Sequence, residues 1–134
     1  MSGEVKVKGL LPRKVVMVRK LEIGSEKYTQ VFACDDRGAG NANHKYSVST
    51  TQEPSTILGV VDFQKGAIKE NGVNGVMNED LIAIVIDRMQ GFQSGDYACR
   101  ENAIALTKLE EALLWLRKRT MDRERRGVEG TSVV

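Results

Sequence analysis

A regular stripe near the C-terminal end of the chain constrains the fold most strongly. Its six members are separated by steps of 4, 3, 4, 3 and 4 residues, and we call them the leucine stripe: Asn102, Leu106, Leu109, Leu113, Leu116 and Thr120. These steps are the heptad spacing of a long amphipathic helix that packs one face against another helix. The polar member Asn102 either sets the register of that packing or contacts a ligand.

A second helix is predicted on the N-terminal side of the stripe. Asn78 is a suitable N-cap, and Gly91 is a suitable end. The link at residues 92–96 has the length of a tight connection between antiparallel helices, so the stripe helix should begin near Tyr97 or Ala98. The apolar face expected for the first helix comprises Leu81, Ile82, Ile84, Val85 and Met89.

This helical hairpin predicts self-association. The first helix is the shorter of the two, so it cannot cover the whole leucine stripe, and a short hairpin buries little apolar surface alone. We therefore expect a homo-oligomer, a dimer or a hexamer, that assembles through the hairpin.

The residues before Phe63 have a different pattern. Stretches rich in β-branched residues alternate with polar, glycine-rich breaks, which indicates strands. Four strands are predicted, at residues 15–21, 27–34, 44–50 and 56–64. The fold class is therefore α+β: a flexible N-terminal segment at 1–14, an antiparallel β unit with a ligand-binding loop at 15–66, and the helical hairpin with a basic C-terminal end at 67–134.

Basic residues are concentrated at the end of the stripe helix. Residues 117–126 carry six basic and two acidic side chains in a chain whose net charge is +2. Arg119, Arg123 and Arg126 follow each other at steps of 4 and 3, so their guanidinium groups are suited to bind phosphates. The alternative is a solvated helix end that complements the helix dipole. Pairing of Asp122 with Arg119 and Arg126 argues against a broad nucleic-acid surface.

A second candidate for anion binding precedes the first helix. Residues 69–80 are rich in glycine, so the backbone amides near Asn74 and Gly75 can point at an anion, although a plain turn explains the same residues. Just upstream, Phe63 and Gln64 end a strand, where a ring and an amide can recognise a base. Phe63 is otherwise a core residue.

Residues suited to catalysis are few. His44 is the single histidine, and no nucleophile or carboxylate is spaced to pair with it in a known signature. Cys34 and Cys99 are expected to be reduced core residues, and we predict no metal and no cofactor. The sequence has no apolar run of membrane-spanning length, so we expect a cytosolic protein with no membrane partner.

Several residue strings resemble one family. GAGNANHKY, DFQKG, GVNGV, the hairpin from NEDLIAIV to LRKRT, and RERRGVEGT resemble the phage anti-Thoeris sponge proteins over about residues 28–131. The hairpin is also similar to that of the anti-CBASS cyclic-oligonucleotide sponges. This resemblance implies a protein of the infected bacterial cytoplasm that sequesters cyclic ADP-ribose isomers without degrading them. In some members it also implies a second site for cyclic di- or trinucleotides.

The resemblance also implies site residues. Phe63 and Asn74 correspond to base and ribose contacts, with Asn43 and His44 nearby, and Gln64 and Gly75 complete the predicted pocket. For the second site, the implied phosphate ligands are Arg119, Arg123, Arg126 and Thr131. Two alternatives stay open: a nucleotide hydrolase that uses His44, and a nucleic-acid-binding oligomer that acts through residues 117–126.

Overall fold

The computed structural model describes residues 2–5, 13–16, 18–24 and 26–134. The chain forms two compact units, Met1–Gly66 and Ala67–Val134. The first contains the strands and the second contains the helices, which confirms the predicted α+β class.

The first unit begins with a two-stranded antiparallel sheet. Strand β1, Ser2–Val5, pairs with β2, Arg13–Val16. Part of the segment predicted to be flexible, Met1 and residues 6–12, lies outside the described residues. The prediction of one strand at 15–21 is wrong, because β2 ends at Val16 and the next strand belongs to another sheet. A run of β-branched residues indicates extended backbone, but it does not show where a chain passes between sheets.

The second sheet has four antiparallel strands in the order β3–β4–β5–β6. Their bounds are Arg19–Lys20 for β3, Thr29–Ala33 for β4, Lys45–Thr50 for β5 and Ile57–Asp62 for β6. The last three lie within predicted strands and confirm them. Within residues 18–24 and 26–134, Ala33 and Ser49 are the only buried residues. The sheet therefore has a thin core, and most of its apolar side chains are half-buried or exposed.

The second unit contains three helices: α1 at Ile68–Asn71, α2 at Asn78–Gln93 and α3 at Arg100–Arg125. Helix α2 begins at the expected position, although the N-cap is Met77, whose backbone N–H donates to Asp80 Oδ2 at 2.8 Å. The prediction that Gly91 ends this helix is wrong. Gly91 lacks the positive φ of a helix-ending glycine, and the helix continues for two more residues.

Helix α3 begins later than predicted, at Arg100 instead of Tyr97 or Ala98. Its N-cap is Cys99, whose Sγ accepts the backbone N–H of Asn102 at 3.4 Å. Cys99 is exposed, so its assignment to the core was wrong, whereas Cys34 is half-buried; both thiols are free. The Cys99 side chain is directed at the exposed first turn of α3, where it caps the helix.

The leucine stripe is the packed face of α3. All six of its members are half-buried, and the other residues of the helix from Arg100 to Met121 are exposed. The face predicted for α2 is correct at three positions and wrong at Ile84 and Val85, which are 63% and 42% exposed. The half-buried apolar residues of α2 are Leu81, Ile82, Ile86, Met89 and Phe92.

The hairpin consequently leaves large apolar side chains in contact with solvent. On α2 these are Ile84 and Val85, and on α3 they are Ile104, Leu114, Trp115 and Met121. No helix in the described ranges combines the length and hydropathy that crossing a membrane requires.

Candidate functional site

The loop at residues 35–44, which joins β4 to β5, is organised by Asp35. Its carboxylate accepts the backbone N–H of His44, with 3.0 Å to Oδ2, and its backbone oxygen accepts Asn43 Nδ2 at 2.6 Å. Asn43 Oδ1 in turn accepts Arg19 Nη2 at 2.8 Å. Asn43 therefore binds both β3 and the start of the loop, and its amide holds the loop in place.

These hydrogen bonds change the acidity of Asp35. Burial raises the pKa of the carboxyl group, but hydrogen bonds from the backbone of His44 and Lys45 and from the side chain of Asn43 lower it further than burial raises it. The net pKa lies below the ordinary value for aspartate. The ionised form of Asp35 is therefore the form that the loop binds.

The ring of His44 is part of the same loop. His44 Nε2 lies 3.0 Å from the carbonyl oxygen of Ala39, within a single 3₁₀ turn at Ala39–Asn41. Because a carbonyl oxygen only accepts, this contact is a hydrogen bond when Nε2 carries the proton. The turn contains positive φ angles at Gly40 and Asn41, 69° and 62°, residue types that tolerate this conformation.

Phe63 and Gln64 follow directly after β6, at the same end of the sheet as the loop. The backbone N–H of Phe63 donates to the carbonyl oxygen of His44 at 2.7 Å. The Phe63 ring packs edge-on against Tyr46, with centroids 5.7 Å apart and planes at 86°. Gln64 Nε2 donates to the carbonyl oxygen of Gly66 at 3.1 Å.

The structure thus brings together four of the six residues predicted for the cyclic ADP-ribose isomer pocket: Asn43, His44, Phe63 and Gln64. Tyr46 is the neighbour that sequence reasoning missed. Tyr46 on β5 pairs with Val61 of β6, and Val61 lies two residues before Phe63. If the strand register had been known, this pairing would have placed Tyr46 beside Phe63.

Asn74 and Gly75 belong to the second unit. They lie in residues 72–77, between α1 and α2, and Asn74 is exposed whereas Gly75 is half-buried. The segment begins with Gly72 at a φ of 71°, where its N–H donates to the carbonyl oxygen of Ile68 at 2.7 Å. The predicted glycine-rich turn is therefore present directly before α2.

A basic groove of about 410 Å³ lies at the C-terminal end of α3, and we call it the cationic groove. It is lined by Trp115, Lys118, Arg119, Asp122, Arg123, Arg126 and Val134. The structure therefore brings the three predicted phosphate-binding arginines to one surface. Sequence reasoning missed Trp115, although it precedes Arg119 by one helical turn.

Two of these arginines bind the chain segment that follows α3. Arg123 Nη2 donates to the carbonyl oxygens of Val128 and Thr131 at 3.1 and 3.0 Å. Arg126 Nη2 donates to the main-chain oxygen of Val134 at 2.6 Å. Residues 128–134, which we call the tail, are therefore held beside the groove. Thr131 is held by Arg123, which was predicted to bind phosphates together with it.

Helix α1 holds the tail from another direction. The backbone N–H of Lys69 donates to the carbonyl oxygen of Gly130 at 2.8 Å, and Ser132 Oγ donates to Glu70 Oε1 at 2.8 Å. No sequence pattern predicted this contact, because it joins residues that are far apart in the chain.

Asp122 is the acidic residue of the cationic groove. It pairs with Lys118 at 2.8 Å and with Arg125 at 3.7 Å, instead of with the predicted Arg119 and Arg126. The hydrogen bond from Lys118 lowers the pKa of Asp122. Lys118, Arg119, Arg125 and Arg126 all lie three or four residues from Asp122, so spacing alone allowed any of them as partners. The structure shows that Lys118 and Arg125 are the partners.

Comparison with known proteins decides the family. The family described as "Acb2/Tad1, hairpin domain" matches residues 56–121. A protein of Bacillus phage SBSphiJ7 named "Thoeris anti-defense 1" is 46% identical in an alignment 135 positions long that covers 84% of this chain and 95% of the relative. This chain belongs to the phage anti-Thoeris family. The resemblance that the residue strings carried is thereby confirmed.

The hairpin family matches only part of this anti-Thoeris protein, so some candidate residues lie inside the matched range and others lie outside it. Phe63, Gln64, Asn74, Gly75 and Arg119 lie inside the matched range. The loop residues Asn43 and His44 precede that range, and Arg123, Arg126 and Thr131 follow it.

Proposed function

We propose that this anti-Thoeris family member sequesters cyclic ADP-ribose isomers by reversible, non-covalent binding. The observation that carries the proposal is the arrangement at one end of the four-stranded sheet. There the half-buried ring of Phe63 is fixed beside an ordered polar loop through the hydrogen bond between its N–H and His44. The family relationship and this geometry point to the same class of ligand.

The chemistry of the ligand suits these residues. A cyclic ADP-ribose isomer presents an adenine face, several hydroxyl groups and a pyrophosphate with two negative charges. An aromatic ring, amide side chains and backbone N–H groups recognise these parts without a nucleophile. Within the first unit, Phe63 supplies the ring and Gln64 supplies an amide.

Asn43 and His44 contribute in a different way. Both side chains already make hydrogen bonds within the first unit, to Asp35 and to Ala39. We assign them the role of holding the loop in its binding conformation. A preformed loop reduces the entropy that binding costs, which favours the nanomolar affinity, about −12 kcal/mol, that competition with a receptor requires.

The same contacts argue for a binding protein and against a hydrolase. The His44 ring uses Nε2 to bind the carbonyl oxygen of Ala39, so only Nδ1 is left to act as a general base. The carboxylate of Asp35 accepts the backbone N–H of His44, so it is not placed as a catalytic partner for the ring. The protein then acts in the cytoplasm of the infected cell by lowering the concentration of free signal.

Self-association of the hairpin is part of the proposal. The apolar side chains left exposed on α2 and α3, such as Ile84 and Leu114, support contact between copies, as a dimer or a hexamer. Binding at positions shared between copies would enclose a small ligand more completely than one open surface.

The cationic groove favours a second ligand class, cyclic di- and trinucleotides. Arg119, Arg123 and Arg126 face one groove of about 410 Å³, a volume typical of small-ligand sites. Paired guanidinium N–H groups match phosphate oxygens, which these cyclic ligands carry in every unit. The pairing of Asp122 with Lys118 and Arg125 reduces the positive charge available to a long nucleic acid.

One experiment separates these functions. The protein is mixed with a slight deficit of a cyclic ADP-ribose isomer, the free ligand is measured after ultrafiltration, and the complex is then heated and filtered again. A sponge removes the ligand in the first step and returns it intact in the second. Recovery of linear ADP-ribose would indicate a hydrolase, and a ligand that stays free throughout would refute the proposal.

A parallel titration tests the nucleic-acid alternative. Duplex DNA is added to the protein at 50 and 200 mM salt. Binding that weakens by roughly 10³-fold or more between these concentrations would be the signature of many phosphate contacts and would favour that alternative. We expect weak binding at both concentrations.

A further inference from the structure

Trp115 is an exposed aromatic residue on a basic surface. It is the single tryptophan of the chain, its side chain is 65% exposed, and it lines the cationic groove. Leu114, its neighbour in the chain, is 66% exposed but does not line the groove. The indole is therefore distinguished by where it lies and not by its exposure alone.

Arg119 lies one helical turn after Trp115. Residues four apart on a helix have Cβ atoms about 5–6 Å apart, and both side chains line the cationic groove. The other basic residues of the groove have partners: Lys118 pairs with Asp122, and Arg123 and Arg126 donate to the tail. Within the described residues, the guanidinium of Arg119 makes no hydrogen bond and no ion pair.

We propose that Trp115 and Arg119 form a nucleotide-recognition pair in which a purine base stacks on the indole and the adjoining phosphate binds the guanidinium. This proposal rests on the proposed second site for cyclic oligonucleotides and names the residues that recognise its base. A base and its own phosphate are separated by one sugar, a distance comparable to one helical turn. The pair therefore fits a nucleotide better than it fits an isolated phosphate.

The pair also predicts selectivity. Stacking on tryptophan uses the face of a base, so it tolerates either purine, whereas inorganic phosphate and pyrophosphate offer no face. The guanidinium groups of Arg123 and Arg126 donate hydrogen bonds to the tail. Arg119 is therefore the arginine that can bind a phosphate without breaking such a bond. The first base-and-phosphate contact therefore falls to Trp115 and Arg119 instead of to the two arginines that hold the tail.

Intrinsic fluorescence tests the proposal on the unmodified protein, because all tryptophan emission comes from Trp115. Cyclic triadenylate is titrated into the protein while emission is recorded, and calorimetry is run on the same samples. We expect quenching that saturates at the same ligand ratio as the calorimetric signal. Pyrophosphate at equal concentration should leave the emission unchanged.

The variants Trp115→Phe and Trp115→Leu separate stacking from simple burial. Phenylalanine keeps an aromatic face and should retain most of the affinity, whereas leucine should weaken binding by roughly 5-fold to more than 100-fold, the range found when stacking residues are removed. Tyr97→Leu is the matched control, because Tyr97 is an aromatic residue, 73% exposed, that lies outside the groove, and this variant should bind normally. Native mass spectrometry of each variant reports its assembly.

The outcomes are distinct. Calorimetric binding without a change in emission, or equal affinities for Trp115→Leu and the unmodified protein, would overturn the recognition pair while leaving the second site intact. No calorimetric binding of any cyclic oligonucleotide would refute the second site, and the pair with it. Loss of binding in Trp115→Leu with an unchanged subunit count, together with retention in Trp115→Phe, supports the pair.

Discussion

The carbonyl oxygen of His44 accepts the backbone N–H of Phe63 at 2.7 Å, so the end of β6 is fixed to the residue that precedes β5. This bond extends the β5–β6 ladder by one step, beyond the pairing of Lys45 with Asp62. It joins the ordered loop to the aromatic residue. Changes in either partner should therefore affect the proposed pocket as a unit.

Replacing Phe63 tests the proposed aromatic contact. In Phe63→Leu the side chain stays apolar and still fills the space beside Tyr46, but the flat face is lost. We expect the affinity for a cyclic ADP-ribose isomer to fall by about 10- to 100-fold, the scale of one lost stacking contact, with little change in thermal stability. Calorimetry and thermal unfolding measure the two quantities.

The matched control is Phe92→Leu, which changes a half-buried phenylalanine of α2. It should bind the isomer normally. Equal affinity in Phe63→Leu and the unmodified protein would remove Phe63 from the pocket.

Asp35 should make the loop sensitive to acid. Because its pKa in the folded protein lies below the unfolded value of about 3.9, it stabilises the fold fully above that pH and loses its contribution as the pH falls through the folded pKa. Asp35→Asn removes this dependence. Hydrogen exchange at the His44 amide between pH 3 and pH 6, corrected for intrinsic exchange rates, should show loop opening on acidification in the unmodified protein but not in Asp35→Asn.

The comparison for this prediction is Asp36→Asn, which changes the adjacent carboxylate. This variant should open on acidification like the unmodified protein. Parallel pH profiles for Asp35→Asn and the unmodified protein would contradict the role of Asp35.

Arg123 should hold the tail in place. Its Nη2 atom bonds two carbonyl oxygens, and an alanine side chain reaches neither. A lost charged hydrogen bond costs about 1.5–3 kcal/mol, so cleavage of residues 128–134 in Arg123→Ala should be roughly 10- to 100-fold faster when local opening limits it. Limited proteolysis followed by mass spectrometry measures the rate.

Arg125→Ala provides the control here. Among the described ion pairs, Arg125 takes part in one, with the exposed side chain of Asp122 at 3.7 Å. Its tail should be cleaved at the unmodified rate. If both variants are cleaved equally fast, the tail is not held by Arg123.

Cys99 offers a test of helix capping. Sulfur is a weak acceptor, so serine at this N-cap should bind the N–H of Asn102 more strongly than the thiol does. We expect Cys99→Ser to raise stability by a few tenths of a kcal/mol or more, and Cys99→Ala to lower it by about 0.5–1 kcal/mol. Urea unfolding of the three proteins gives the order. A serine variant less stable than the alanine variant would contradict the capping role.

Sequence patterns predicted some parts of this protein well. The leucine stripe identified all six packed positions of α3 between Arg100 and Met121, because heptad spacing depends only on local helix geometry. The same reasoning was wrong at Ile84, since apolar residues cover more than half of the α2 circumference and periodicity alone does not show which of them pack. Burial against α3 decides that.

The candidate sites show the same limit. The position of Phe63 at a strand end was predicted, but its bond to His44 depends on the register of β5 and β6. The arginines of the cationic groove were predicted from their spacing, whereas their contacts with the tail were not. Those contacts require the chain to turn back after Arg126, through Gly127 at a φ of 74°, and spacing within a helix contains no information about that turn.

The leucine stripe faces α2 within one chain, and the apolar residues on the outside of the hairpin are different ones. Under the proposed self-association, folding and assembly would depend on separate sets of side chains. Exchanging outward residues such as Ile84 or Leu114 would then change how many copies associate, while the inward leucines continue to specify the hairpin.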